Sequence, residues 1–270
     1  MIDIHCHILP GMDDGPGSLN QALDMCRAAA ADGIKTIVAT PHFRPGTYEF
    51  TGRKVMDTVD LLETAAKGEG LDLRILPGAE VSVSPEMPSC LRKARYLTLN
   101  NNGRYFLAEL PPLSVPPNWD TFLHSLHLSG LTAIIAHPER NDWFMNHPDV
   151  LASAAGRGLL IQVTAMSITG GLGSDARDFS YYLLRQNLVH AISSDAHSAD
   201  FRRPVLSEAC GIAAAIVGRK KAEDLVFTIP QAIIKGRDIP ALGPVGHRYP
   251  ENAQKRKWFT RLFQGGKREM

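Results

Sequence analysis

Short apolar runs rich in β-forming residues alternate with longer helix-compatible segments along most of this chain. We predict strands at residues 2–5, 36–39, 73–78, 105–109, 132–136, 159–163 and 189–193. We predict helices between them at residues 18–32, 52–69, 118–129, 147–157, 175–186 and 204–218. This alternation is the pattern of repeated βα units that form a parallel sheet. Seven such strands predict an α/β fold with a closed or nearly closed barrel.

The length of the chain and the change in its composition after about residue 243 predict one domain followed by a tail. A chain of 270 residues with 44% hydrophobic content can bury a sizeable core and is near the usual upper limit for one domain. We assign residues 1–243 to that domain. The basic tail, residues 244–270, has aromatic and leucine side chains among its Lys and Arg. It predicts either an amphipathic helix that contacts a membrane or a partner, or a terminal helix on its own domain.

The N-terminal sequence, the lack of a long apolar run, the cysteines and the charge balance predict a soluble, cytoplasmic protein. The N-terminus has no basic region before an apolar stretch, and no run approaches the roughly 20 apolar residues of a spanning helix. The four cysteines form no CxxC pair, which fits reduced thiols. The formal charge of +1 predicts no nucleic-acid partner and no direct attraction to a membrane surface.

Several catalytic motifs are missing from the sequence. None of the cysteines begins the CxxxxxR loop of cysteine phosphatases, and no GxSxG elbow occurs. GxxxxGK[ST] is absent, and no GxGxxG follows a predicted strand. The sequence therefore gives no support for a cysteine or serine nucleophile, or for binding of nucleoside triphosphates or dinucleotides.

Nearly every predicted strand ends in one or two residues of metal-binding type. These residues are His5, His7, His42, Glu80, Glu109, His137, Asp195 and His197. The carboxyl ends of the strands of a parallel barrel converge on one face, so we expect these side chains to meet there. Apolar strands that end in such groups would be costly without a ligand to satisfy them. The pattern predicts a metal centre.

The first loop adds a ninth candidate ligand. Asp14 lies in the Gly- and Pro-bounded loop GMDDGPGS, whereas we assign the neighbouring Asp13 to turn formation or N-capping. The pair His5-x-His7 presents both imidazoles on one face of a strand. Mixed imidazole and carboxylate ligands without thiolate suit Mn, Fe or Zn, and nine ligands suit two or three ions.

Two arginines indicate the substrate. Arg140 in AHPERN and Arg202 in DAHSADFRRP follow ligand strands directly, and guanidinium groups grip phosphate oxygens well. The alternative for both arginines is that they are solvated surface charges without a role in binding phosphate. Three divalent ions against four carboxylates would leave the site cationic, which favours an anionic substrate. We therefore predict hydrolysis of a phosphoester by a metal-activated hydroxide.

Taken in order, these motifs resemble the polymerase-and-histidinol-phosphatase (PHP) superfamily. DIHCHILPGMDDGP, TPHF, GAE, LAELP, AHPERN and SSDAHS, spread over residues 1 to about 210, resemble in particular the bacterial protein-tyrosine phosphatases of the CpsB/YwqE type. The resemblance implies a distorted (β/α)7 TIM-like barrel with a trinuclear centre, manganese being the first choice of metal. It implies phosphotyrosine as substrate, on a cognate tyrosine kinase of capsule or exopolysaccharide synthesis, through which any membrane association would be indirect.

The resemblance also implies which candidate residues share each metal ion. It implies one ion held by His5, His7, Glu80 and Asp195, a second by Glu80, Glu109 and His137, and a third by Asp14, His42 and His197. Arg140 and Arg202 match the phosphate-contacting arginines. The usual Arg-Pro-Pro stretch reads Arg202-Arg203-Pro204 here, so the choice between the two arginines stays open.

Three other functions remain open at this point. A small-molecule phosphatase of the same superfamily, acting for instance on histidinol phosphate, would need a deeper pocket with groups for an amine. A metal-binding docking module would keep the ligands without turnover. An amidohydrolase would use a similar barrel, but such sites commonly use a lysine, and no lysine occupies a predicted strand end.

Overall fold

A computed structural model describes residues 1–94, 97–111 and 115–239 of the chain. In these residues the sheet strands are Ile2–Cys6 (β1), Thr36–Ala39 (β2), His42–Phe43 (β3), Arg74–Pro77 (β4), Glu80–Ser82 (β5), Tyr105–Glu109 (β6), Thr132–Ile135 (β7), Leu160–Thr164 (β8) and Ala191–Ser193 (β9). All seven predicted strands are confirmed to within one or two residues at each end. The predicted domain boundary near residue 243 and the tail 244–270 lie outside the described residues.

The strands form a curled parallel sheet in two hydrogen-bonded sections. The orders are β1-β2-β4 and β3-β5-β6-β7-β8-β9, and every pairing is parallel. Backbone hydrogen bonds from Asp195 N to His5 O (2.8 Å) and from His7 N to Ala196 O (2.9 Å) join the last strand to the first. The predicted α/β barrel is therefore confirmed.

Two barrel strands are broken near their carboxyl ends, which the sequence did not predict. The chain bends at Thr40-Pro41 between β2 and β3 and at Gly78-Ala79 between β4 and β5. A Cβ at Gly78 would lie 2.8 Å from Val38 Cγ1, so only glycine lets the chain pass there. These bends move the short strands β3 and β5 into a separate section of the sheet.

The helices pack outside the strands. They are Leu19–Ala31 (α1), Gly52–Gly68 (α2), Met87–Lys93 (α3), Trp119–Leu128 (α4), Asp142–Asn146 (α5), Pro148–Gly156 (α6), Ala165–Ile168 (α7), Ser174–Arg185 (α8), Ser207–Val217 (α9), Arg219–Glu223 (α10) and Ile229–Ile234 (α11). The six predicted helices are α1, α2, α4, α6, α8 and α9. None of the described helices combines the length and the apolar character needed to cross a bilayer.

The ends of α1 follow the predicted caps. The Ser18 side chain accepts a hydrogen bond from Gln21 N, and Gly33 adopts a φ of +84° directly after the last turn. Gly33 N donates to Ala30 O and the next amide donates to Ala29 O, which is the pairing of a Schellman motif. The helix therefore begins and ends where the sequence predicts, and it returns the chain to β2.

Candidate metal centre

All nine predicted ligand residues and both predicted arginines meet at the carboxyl ends of the barrel strands. A cavity of about 180 Å³ opens there. Eight of the eleven residues line it, namely Asp14, His42, Glu109, His137, Arg140, Asp195, His197 and Arg202. The other three, His5, His7 and Glu80, are fully buried. The convergence predicted from the strand ends is therefore observed.

The deepest group is built on the HxH pair of β1. His5 Nε2 and His7 Nε2 are 3.2 Å apart, as expected for side chains on one face of a strand. Each nitrogen lies 3.5 Å from a carboxylate oxygen of Glu80 and 3.5 Å from Asp195 Oδ1. Ligand atoms about 2.1 Å from one ion lie about 3.4 Å apart in a tetrahedral arrangement. His5, His7 and Glu80 therefore lie close enough to share one divalent ion, whereas Asp195 groups with His5 and His137.

A second group lies nearer to solvent. Asp14 Oδ1 is 3.5 Å from His42 Nε2 and 3.3 Å from His197 Nε2. The ring of His7 packs against both imidazoles, with centroids 4.4 Å from His42 and 4.0 Å from His197. His7 thus connects this group with the deeper one.

The remaining candidate ligands form other close groups than the one that the resemblance implies for the second ion. Glu80 Oε1 contacts His137 Nε2 at 2.9 Å, but Glu109 groups with His42 and Glu80. His137 groups instead with His5 and Asp195. Glu80, Glu109 and His137 therefore do not form one close group in this structure.

Two buried atoms of the centre have no hydrogen-bond partner. His42 Nδ1 and Glu80 Oε2 are 2.9 Å apart, yet their relative orientation makes no hydrogen bond. Leaving such groups unpaired in the interior is costly. Two ligand-type atoms that lie side by side without bonding to each other fit neighbouring positions in the coordination shell of one cation.

The neighbouring imidazoles hold two carboxylates of the centre in their charged form. Burial alone would raise the pKa of Asp195, but His5 and His137 outweigh it and hold that pKa well below its usual range. Burial likewise opposes ionisation of Glu80, whose pKa is lowered well below its usual value by His5 and His137. Both carboxylates are therefore ready to bind cations.

The pKa of His7 moves in the opposite direction. Burial would lower it, but the hydrogen bond to Asp13 and the nearby carboxylate of Glu80 raise it to about 10. The protonated form of this imidazole therefore balances part of the negative charge of the neighbouring carboxylates. An ion that binds must displace such protons.

Two candidate ligands have an unusual backbone conformation. His137 has a φ of +32° and Asp195 a φ of +50°, both in the left-handed region that favours glycine. Each residue lies two positions after the end of a barrel strand, β7 and β9 respectively. Backbone strain of this kind concentrates at functional sites, where the surrounding structure holds it in place.

The two predicted arginines reach the same carboxylate oxygen. Arg140 donates to Asp195 Oδ2, and Arg202 Nη2 lies 2.6 Å from the same atom. Arg203 is exposed and does not line the cavity. The sequence left the choice between Arg202 and Arg203 open, and in the structure Arg202 is the one that faces the centre.

Three residues around the centre were missed or underestimated in the sequence. Asp13 makes the predicted turn by accepting from Gly15 N, but it also accepts from His7 Nδ1 at 2.6 Å. Gln162 Oε1 accepts from His5 Nδ1 at 2.9 Å, and Arg44 Nη2 donates to Glu109 at 3.0 Å. In the sequence, Gln162 and Arg44 are not part of any pattern of metal-ligand residues. Asp13 was considered only because it lies next to Asp14, which is the same residue type.

The family described as "Capsular polysaccharide synthesis, CpsB/CapC" matches this chain over residues 1–235. Tyrosine-protein phosphatase YwqE of Bacillus subtilis is 39% identical over 202 residues, which is 75% of this chain and 79% of that protein. Tyrosine-protein phosphatase CpsB of Streptococcus pneumoniae is 31% identical over 239 residues, which is 87% of this chain and 98% of that protein.

Comparison with solved structures points to the same family. A chain from the crystal structures of YwqE and CpsB, described as unique metal-dependent tyrosine phosphatases, superposes with a TM-score of 0.85 and 34% identity. The match covers 92% of this chain and 100% of that one. Dihydroorotase of Campylobacter jejuni superposes with a TM-score of 0.54 at 12% identity over 89% of this chain and 84% of that one, which is a likeness of the barrel fold alone.

Proposed function

The chain belongs to the CpsB/CapC family of capsular polysaccharide synthesis, and from this premise we propose that it is a metal-dependent phosphotyrosine-protein phosphatase. The observation that carries the proposal is the convergence of nine imidazole and carboxylate side chains with two arginines at one cavity. Relatives in this family are tyrosine-protein phosphatases. The amidohydrolase alternative has only the barrel likeness in its favour.

We assign the residues as follows. The ligands of the divalent ions would be His5, His7, Asp14, His42, Glu80, Glu109, His137, Asp195 and His197. Bound ions of this kind activate water and neutralise phosphoryl oxygens. Arg140 and Arg202 would hold the phosphate group and stabilise the charge that builds on it during hydrolysis.

The cavity lining suits an aryl phosphate better than an amino-alkyl phosphate. Its apolar part consists of Leu110, Ala136, Pro138 and Phe144, a surface that a phenyl ring can contact. Within the part of the chain that the structure describes, the carboxylates of the lining all belong to the proposed ligand set, so none is left for an amine. This favours phosphotyrosine over histidinol phosphate.

The rim of the cavity is open enough for a protein substrate. The Asp14 side chain is 51% exposed, and those of Arg140 and Arg202 are 33% and 22% exposed. We propose a phosphotyrosine-containing protein as partner, namely a cognate tyrosine kinase of the capsule or exopolysaccharide pathway. Mn is our first choice of metal, ahead of Fe or Zn, and a cytoplasmic location fits this partner.

The function is tested with metal-stripped protein to which Mn is returned. We expect hydrolysis of a phosphotyrosine peptide only after Mn is added, and much slower turnover of histidinol phosphate. Released phosphate is measured for both substrates under the same conditions. If only histidinol phosphate is hydrolysed, the protein-phosphatase proposal is wrong. If neither substrate turns over with Mn, Fe or Zn, a docking module explains the site better.

Phe201 provides a second test of a protein substrate. The residue is 71% exposed, although burial of a phenylalanine side chain is worth about 1.5–3 kcal/mol. The loop that carries it is held by hydrogen bonds from Phe201 N and Arg202 N to Ser198 Oγ, at 3.2 and 3.4 Å. Since Arg202 reaches into the centre from the same loop, we expect residues beside the phosphotyrosine to pass Phe201.

We expect Phe201→Ala to lower kcat/KM for a phosphotyrosine peptide with apolar flanking residues by about tenfold. Turnover of p-nitrophenyl phosphate should stay near the wild-type value, because that substrate does not extend to the rim. Phe227→Ala is the matched control, since Phe227 is 49% exposed but lies in the helical segment Asp224–Thr228 and not on the loop that carries Arg202. An equal loss with both substrates would contradict a role in peptide binding.

A further inference from the structure

The strongest unassigned feature is a buried carboxylate beside the centre. The side chain of Asp13 has no exposed surface and accepts three hydrogen bonds. They come from His7 Nδ1 (2.6 Å), the backbone N of His42 (2.9 Å) and the backbone N of Gly15 (3.0 Å). Its two oxygens are therefore occupied by donors from three different places in the chain.

Each of these bonds fixes a different candidate ligand. The bond to Nδ1 sets the tautomer and rotation of the His7 ring, so that Nε2 faces Glu80 and Asp195. The bond to the backbone of His42 holds the start of β3 against the first loop. Histidines that bind metals commonly donate their other ring N–H to such a carboxylate.

The third bond shapes the turn that presents Asp14. Asp13 Oδ1 and Gly15 N close this turn, and Asp14 between them reaches outward to His42 and His197. A Cβ at position 15 would lie 2.3 Å from the carbonyl oxygen of His7. The turn is therefore packed directly on the end of β1, and a side chain at position 15 would push the two apart.

We propose that Asp13 is a positioning residue for the metal centre. It binds no ion itself, and it holds His7, His42 and Asp14 in the orientation in which they take divalent cations. The two neighbouring aspartates thus have different roles. The side chain of Asp13 points inward and supports the ligands, and that of Asp14 points outward as a ligand. The proposal concerns metal binding and does not depend on which phosphoester is the substrate.

The test is a metal titration of Asp13→Asn. An asparagine oxygen can still accept from Gly15 N and form the turn, but it lacks the charge and one of the acceptor oxygens. We expect Mn affinity to fall by tenfold to a hundredfold, the usual effect of losing such a support. Free Mn is followed by electron paramagnetic resonance, with metal-free protein as the starting material. Asp13→Glu, which keeps the charge, should recover part of the affinity.

Asp24→Asn is the matched control, because Asp24 is an exposed helix residue that pairs with Arg27 on the same helix. The proposal is supported if Asp13→Asn binds Mn more weakly than this control, melts like it when metal-free, and regains turnover at excess Mn. Unchanged Mn affinity would overturn it. A lower melting temperature of the metal-free variant would indicate a structural role only. One ion fewer at saturation would make Asp13 a ligand, which also overturns the proposal.

Discussion

Replacing Asp195 with alanine is expected to lower kcat/KM for a phosphotyrosine peptide by more than about 10³-fold. Loss of a residue that merely supports a metal ligand costs up to about a hundredfold, and loss of a ligand at the centre of the site should cost more. Asp195 is central because one oxygen lies 3.5 Å from both His5 and His7. Its other oxygen accepts from the two arginines.

The fold should survive this substitution. The core of the barrel consists of apolar strands and helices, and Arg140 and Arg202 have enough exposed surface to be hydrated when the carboxylate is removed. We expect the free energy of unfolding of the metal-free protein to fall by no more than about 3 kcal/mol. His137→Ala should behave in the same way, since His137 also contacts Glu80 at 2.9 Å.

The experiment combines turnover, metal content and unfolding. Metal bound per chain is measured by elemental analysis after loading with Mn and removal of the excess. Asp200→Ala is the matched control, because Asp200 is an exposed aspartate on the loop that follows Asp195. Full metal content with wild-type turnover in Asp195→Ala would remove Asp195 from the centre. A metal-free variant that does not fold would instead give the residue a structural role.

The strands were predictable because they are buried on both faces. Parallel strands of a barrel appear as short apolar runs, and 36–39 and 105–109 were predicted with the bounds that the structure has. The breaks were not predictable, since a strand as short as His42–Phe43 carries no periodic signal. Its place depends on pairing with β5, where His42 lies opposite Glu80, and that contact belongs to the tertiary structure.

The members of the centre were predictable, but their grouping was not. Parallel geometry alone brings strand ends together, so a ligand-type residue at each end was enough to identify the site. Which side chains share an ion depends on the bends after β2 and β4, which displace His42 and Glu80. Asp13 and Asp14 have the same chemistry and the same loop, and only their directions separate them: one is fully buried and the other is 51% exposed.

Removing either arginine is expected to slow phosphate release while leaving the metals in place. We expect Arg140→Ala and Arg202→Ala each to lower kcat by about 10²- to 10³-fold, the usual cost of losing one group that stabilises transition-state charge. Metal content should stay at the wild-type level, because neither guanidinium group can bind a cation. Arg140→Lys should recover only part of the rate, since an ammonium group cannot make the paired hydrogen bonds of a guanidinium group.

Arg203→Ala is the control that tests the choice made at the Arg202-Arg203 pair. Both residues are arginines on one loop, so their substitution removes the same charge from the same part of the surface. Only Arg202 lies 2.6 Å from Asp195, whereas Arg203 is exposed outside the cavity. Arg203→Ala should therefore keep nearly wild-type kcat in assays of p-nitrophenyl phosphate and phosphotyrosine peptide. Equal losses in both variants would mean that general surface charge, rather than contact at the centre, determines the rate.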